Sequence, residues 1–306
     1  MARILVVVSV LLLVALAASG CCCCCPCGGS WGDDWRWPVR VPAPVGELRT
    51  DQKSVPADRS ATSAQVQIAF GGGKFTLQPG ADGLLDGAFT YNVADLAPKL
   101  ESQTQNGVQI VKLGPQVDVG WGGWWDTSDV RNEWSVRLGR DVPMTLRLDL
   151  GAFDGSVDLG GLRLRDLEVN AGACNGSLTF SEPNPETLKN LVVNVGAANL
   201  ALTGLGNARF QTMRFTGGAG KFDLSFDGAF QGQSRVRLES GMSTVTIRAP
   251  REVGVRVELD GALSTTHVTG FSQNGNVFTN SSYEQGGNQL TIVVTMAMGD
   301  LTLESR

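Results

Sequence analysis

Leu148-Asp149-Leu150-Gly151-Ala152, Val169-Asn170-Ala171-Gly172-Ala173, Val193-Asn194-Val195-Gly196-Ala197, Phe215-Thr216-Gly217-Gly218-Ala219 and Leu238-Glu239-Ser240-Gly241-Met242 align on glycines spaced 21, 24, 22 and 23 residues apart. Short alternating segments follow most of them, as in Ser156-Val157-Asp158-Leu159, Phe222-Asp223-Leu224-Ser225-Phe226 and Thr244-Val245-Thr246-Ile247. Two short strands and a turn in each unit of this length is the pattern of stacked β-coils, whose inward residues are buried only against neighbouring coils. Glycine at the shared position either turns a corner through positive φ or lets stacked backbones approach. Strand alternation points Phe222, Leu224 and Phe226 inward and Asp223, Ser225 and Asp227 to water. The expected fold is therefore all-β, a β-solenoid of short-strand repeats. A Greek-key β-sandwich competes, because it also spaces strands by 8 to 12 residues or so; the common glycine register favours the solenoid.

Atypical copies flank this block. Ile68-Ala69-Phe70-Gly71-Gly72-Gly73-Lys74-Phe75-Thr76-Leu77 opens the folded part and Thr295-Met296-Ala297-Met298-Gly299-Asp300-Leu301-Thr302-Leu303 closes it. Composition agrees: 39 of 306 residues are glycine and 42% are hydrophobic, while only 18% are charged, against a usual charged share of about 25%.

The formal charge is −5, and beyond the first twenty residues 24 basic side chains face 30 acidic ones. No basic cluster offers a phosphate-binding face, so no nucleic-acid partner is expected. One histidine, His267, serves the whole chain, which leaves little for histidine-based metal sites or catalytic triads. Cys174 is the one cysteine of the folded part and reads as a small buried hydrophobe. No cofactor or metal is expected. Gly217-Gly218-Ala219-Gly220-Lys221-Phe222-Asp223 approaches a calcium-binding nonapeptide, but its aspartate falls one residue late. Gly71-Gly72-Gly73-Lys74 lacks the spacing and the helix of a phosphate loop and reads as a turn.

At the other end, Met1-Ala2-Arg3 and the apolar run from Ile4 to Ala17 have the form of a secretory signal. The run is shorter than the roughly 20 residues that span a bilayer. Leu16-Ala17-Ala18-Ser19-Gly20-Cys21 resembles a bacterial lipoprotein lipobox. That implies a diacylglyceryl thioether on Cys21, cleavage before it, a further acyl chain such as palmitate on the new amine, and an extracytoplasmic chain anchored to the cell membrane. Cys22, Cys23, Cys24, Cys25 and Cys27 crowd beside it, too closely spaced for a tetrahedral metal site. Residues 28 to 63, rich in Pro, Gly and Ser, read as a flexible tether spanning about 35 Å. Its Trp31, Trp35 and Trp37 either lie at the membrane interface or pack on the domain. The expected divisions are a signal peptide at 1–20, anchor and tether at 21–63, an N-terminal segment at 64–142 and the β-repeat at 143–306.

Four of the seven tryptophans, Trp121, Trp124, Trp125 and Trp134, fall in one short stretch around Gly120-Trp121-Gly122-Gly123-Trp124-Trp125-Asp126. They form a candidate binding patch for a sugar or a protein partner; the alternative is that they cap or fill the solenoid. No carboxylate pair stands out; a glycoside-cleaving enzyme would need two carboxyls in a cleft, for example around Asp126 and Glu133.

Asn132-Glu133-Trp134, Arg137-Leu138, Asp141-Val142-Pro143, Gly151-Ala152, Leu162, Leu167, Val169 and Gly172-Ala173 together resemble the toastrack domain of bacterial envelope proteins. Gly71-Gly72-Gly73-Lys74-Phe75, Leu84-Leu85-Asp86-Gly87 and Phe89-Thr90-Tyr91-Asn92-Val93 are also similar to its amino-terminal part. The resemblance covers residues 64 to 306 and includes LiaF- and LiaG-like proteins, which respond to cell-wall-active antibiotics. LiaF-like proteins carry several transmembrane helices before this domain, for which this chain has no counterpart. The resemblance implies a non-enzymatic envelope module that binds a membrane sensor protein or a cell-wall glycan. Unpaired strands at the solenoid ends also leave room for an oligomer.

Overall fold

A computed structural model describes residues 44–116, 129–261 and 265–306. At its centre are six long parallel strands: β2 (Ser63–Pro79), β7 (Met144–Asp158), β8 (Leu164–Thr179), β9 (Leu188–Thr203), β10 (Phe210–Ser225) and β11 (Gln233–Ala249). A seventh, β16 (Gln289–Ser305), stacks on β11. Each is one continuous bent element. The ladder runs through Leu150↔Ala171 and Ala152↔Ala173, then Ala171↔Val195 and Ala173↔Ala197, passing over Gly151, Gly172 and Gly196; Gly218 and Gly241 are passed over in the same way. The registered glycines are thus the corners where two strand arms of one coil meet. The expected β-solenoid is the observed architecture, in place of the sandwich.

The corner glycines act through close approach. None of the five has positive φ. A Cβ on Gly196 would run into the Gly172 carbonyl oxygen, one on Gly218 into that of Gly196, and one on Gly241 would lie 2.6 Å from the Gly218 oxygen. Side chains alternate along both arms, so Phe215, Phe222, Leu224 and Phe226 are fully buried. Ser225 departs from the expected alternation. It is 6% exposed and donates its hydroxyl to Asp227 Oδ2, which satisfies a polar group that burial would otherwise penalise.

Closing turns complete each coil, plugged by Leu159 and Leu162, Phe180, Leu205 and Ala208, or Phe226 and Phe230. Asparagines fasten them. Asn184, fully buried, donates from Nδ2 to the carbonyls of Leu164 (2.8 Å) and Ala208 (3.3 Å) and accepts at Oδ1 from the amides of Leu164 (3.1 Å) and Glu186 (3.0 Å). Asn207, Asn280 and Asn288 bridge turns likewise.

Both ends carry insertions. β3 (Leu85–Val93), β4 (Pro98–Gln105), β5 (Val108–Pro115) and β6 (Asn132–Leu138) follow β2 in sequence yet lie on its outer edge: β5 and β6 pair with its two arms, β4 with β5, and β3 with β6. At the far end β12 (Gly254–Gly261) and β13 (Thr265–Thr269) pair with the two arms of β16, while β14 (Ser272–Asn274) and β15 (Val277–Thr279) extend β12. The atypical copies predicted around Gly71 and Ala297 are these terminal coils. No helix among the described residues is long and apolar enough to cross a membrane.

Two of the expected divisions change. Residues 45–55, assigned to the tether, form strand β1 (Val45–Val55), which pairs antiparallel with β3. Its side chains are mostly exposed, so no apolar pattern marks it. The core also runs without a break from Val55 to Leu303, across the expected boundary at 142. Residues 1–43, including the predicted signal and Cys21, lie outside the described residues.

Corner packing gives an internal comparison. Gly71 occupies the same corner on β2, but a Cβ there meets nothing within 4 Å. Gly196→Ala is expected to lower stability by about 2 kcal/mol or more, because backbone must move. Gly71→Ala is expected to stay within about 0.5 kcal/mol of the parent. Thermal unfolding of the two variants side by side checks this. Asn184→Leu, which removes four hydrogen bonds between one buried side chain and the backbone of its own and neighbouring coils, should cost about 3 kcal/mol or more in denaturant unfolding.

Candidate functional site

Beside Gly151, Gly172, Gly196 and Gly218 stands an alanine, and register stacks Ala152, Ala173, Ala197 and Ala219 on adjacent rungs. The same row continues into Met242 and Met298, whose side chains are 66% and 53% exposed. The alanines leave a shallow trough along the corner where the methionines fill it. At its β2 end this trough is a groove of about 620 Å³, floored by Ala152, Ala173 and Ala197 with Phe153 and Cys174 beneath.

Charge lines the groove's rim. Glu133 at the start of β6 lies 3.7 Å from Lys74 Nζ and 3.6 Å from Arg131 Nη1, so two cations share one carboxylate, and Asp154 and Asn175 stand on the β7 and β8 side. Asn132 holds β6 at the β2 bend. Its Nδ2 donates 2.8 Å to the Gly72 carbonyl, while its Oδ1 is buried without a donor. Gly73, at φ +126°, makes this approach possible: a Cβ there would overlap the Asn132 carbonyl oxygen.

The groove offers recognition chemistry. Burial pushes the Cys174 thiol up to about 11, so it stays protonated at neutral pH and is a poor nucleophile. Glu133 is answered by cations, and the carboxyl proposed as its partner, Asp126, lies outside the described residues. Among the described residues no three His, Cys, Asp or Glu side chains converge as metal ligands. A second cleft, of about 590 Å³, lies between β1 and β4. Two of its polar groups are engaged internally: Asp58, held below the ordinary carboxylate range by the Thr104 hydroxyl 2.6 Å away and by Ser60, and Gln109, bonded to the Asp58 amide and the Pro56 carbonyl at 2.9 Å each.

The predicted tryptophan patch divides. Trp134 is 2% exposed, packed edge-on between Phe70 and Phe89 at centroid distances of 5.2 and 5.1 Å. It is a core residue and offers no binding surface. Alternation explains this, since Asn132, Trp134, Val136 and Leu138 all point inward on β6. Trp121, Trp124 and Trp125 lie outside the described residues. Sequence reasoning missed the rim of Lys74, Arg131 and Glu133, which come from segments some sixty residues apart and meet only through β2–β6 pairing. The floor had a signal in the repeated Gly-Ala dipeptide at 151–152, 172–173, 196–197 and 218–219.

Three solved structures show the kinds of chain this one is similar to. A candidate cell adhesion protein of Clostridium sporogenes shares 19% identity at a TM-score of 0.48, over 85% of this chain and 100% of that one. A candidate adhesin of Bacteroides fragilis shares 9% at 0.33, over 84% and 97%. A candidate lipid-binding protein of Parabacteroides distasonis also shares 9% at 0.33, over 85% and 97%. No curated protein matches the chain. The family model of the N-terminal domain of toast_rack, DUF2154, matches residues 45–189, a span that starts at β1, contains the corner groove and ends at the start of β9. Residues 45–189 of this chain form a toast_rack N-terminal domain.

Proposed function

We propose that this protein is a non-enzymatic, lipid-anchored module of the cell envelope, held to the membrane through Cys21, that binds a membrane protein as an accessory in the response to cell-wall-active antibiotics. The observation that carries the binding role is the corner groove. It joins an apolar floor of alanines to a rim of Lys74, Arg131, Glu133 and Asp154 on rigid strands, and apolar floors with a few fixed polar groups are the usual form of a recognition site. Trp121, Trp124 and Trp125 belong to the sequence joining β5 to β6, whose first residues line that groove. The lipobox-like sequence at Cys21 supports the anchor, and the toast_rack domain supports the envelope setting.

A second reading has its own observation. Asn175, on the groove rim, accepts from Asn199 at 3.2 Å, while Asn170 accepts from Asn194 at 2.9 Å. Rows of side-chain amides suit sugar hydroxyls, so a cell-wall glycan or adhesin-like contact is the alternative.

Crosslinking on intact cells, with and without a cell-wall antibiotic, followed by purification of this protein, separates the two. Signalling predicts a membrane protein recovered in a stress-dependent way and lost when Lys74 and Arg131 become Glu or when Trp121, Trp124 and Trp125 become Ala. Recovered wall glycan selects the second reading, and recovery of neither rejects both. Separately, Cys21→Ala should leave the signal uncleaved or shift the protein out of the membrane fraction; an unchanged membrane fraction with no lipid mass on Cys21 rejects the anchor.

A further inference from the structure

The sheet has four unpaired strand edges among the described residues: β1 and β4 at one end, β13 and β14 at the other. An open edge offers unsatisfied amides and carbonyls to any extended chain. β13 and β14 are five and three residues long and carry no carboxylate, lysine or arginine. On β4 the two charges, Lys99 and Glu101, are 2.7 Å apart in their own ion pair. β1 differs: it is eleven residues long, almost wholly exposed, and its regular stretch presents Arg49, Asp51 and Lys53 on one face. From Arg49 to Val55 it is regular, in unbroken register with Tyr91 to Leu85 of β3; the irregularity lies between Val45 and Arg49.

Alternating signs decide what this edge accepts. Protective charges repel an identical strand when they share one sign. Here the order over Arg49, Asp51 and Lys53 is plus, minus, plus, so an antiparallel copy can meet opposite charge. Directly opposed residues share a face, so a two-fold axis must pass through a residue. An axis at Asp51 sets Arg49 against Lys53 and Asp51 against itself, and axes at Arg49 or Lys53 likewise oppose like charges. An axis at Gln52 keeps all seven pairings within the regular stretch and opposes Asp51 to Lys53 twice, Thr50 to Ser54 twice and Gln52 to its own copy. Asp51 already accepts from the Tyr91 hydroxyl at Oδ2, 2.9 Å away, which fixes the carboxylate and leaves Oδ1 for the lysine.

We propose that β1 is a homodimerisation edge that pairs antiparallel with β1 of a second copy about a two-fold axis at Gln52, with Asp51 and Lys53 as its specificity pair. This is independent of what the corner groove binds. Opposite charges across a ladder favour pairing and like charges oppose it, so the pair sets register as well as affinity.

Sedimentation velocity on the full chain in detergent and reductant tests this, with Asp51→Lys, Lys53→Glu and the double exchange. The expected result is a dimer that each single reversal weakens about tenfold or more and that the double exchange restores to within about threefold. Lys53→Glu leaves the Tyr91 bond intact, and an unchanged thermal midpoint shows that this variant folds. A protein that stays monomeric throughout, a dimer indifferent to the single reversals, or one that the double exchange fails to restore overturns the proposal.

Discussion

Hydrogen-bonded strands stack about 4.8 Å apart, and in this protein that spacing must hold around a corner. Where the two arms of a coil meet, the backbone of one rung sits over the carbonyl of the rung before it: Gly196 over Gly172, Gly218 over Gly196, Gly241 over Gly218. A methyl group at any of these positions would push successive coils apart. That separation would break ladder bonds on both arms at once, because both arms belong to a single strand element. Phe215 and Phe222, which pack with centroids 5.0 Å apart inside one corner, keep their packing only while the corner is held.

The same constraint shapes the outer surface. Residues beside the corner glycines need not be large, since no described residue covers them; where they are alanine, the corner is hollow and the groove appears. Where they are Met242 and Met298 the hollow is filled. The groove's limits thus follow from residue size along one row of the ladder, and its charge follows from how β6 is held at the β2 bend by Asn132 and Gly73.

Much of this was legible because glycine register and strand alternation are local patterns, repeated five times. Inward Phe222, Leu224 and Phe226 could be read from spacing alone. β1 could not, because a strand exposed on both faces has no burial to write a period into its sequence, and its charges read as tether. Asn184 and its relatives were silent for a different reason: an asparagine in a turn looks solvated until the turns of neighbouring coils close over it. Of the two readings of the tryptophans, Trp134 follows the one in which they fill the solenoid, and its alternation with Val136 and Leu138 was the guide that grouping aromatics along the chain obscured. The rim of Lys74, Arg131 and Glu133 depends on a pairing between distant segments, which no local pattern records.

That pairing reflects how the two ends are built. A stack of open coils would leave a full-length edge at either end, and here each terminal coil is instead enclosed before the chain moves on. After β2 the chain lays β3 to β6 on the outer side of β2, then returns to place β7 on its inner side. After β11 it builds β12 to β15 first, leaving a slot between β11 and β12 that β16 fills, pairing with β11 along its whole length and with β12 and β13 on its two arms. The last strand is thus an interior one. Contacts so distant in sequence are slow to form, since loop closure precedes their reward, yet they bury the β16 edge on both sides. Long, regular ladders are thereby confined to the interior, and the open edges left on β13 and β14 are short. β4 and β1 are the exceptions, and of the two β1 is the longer and carries alternating charges.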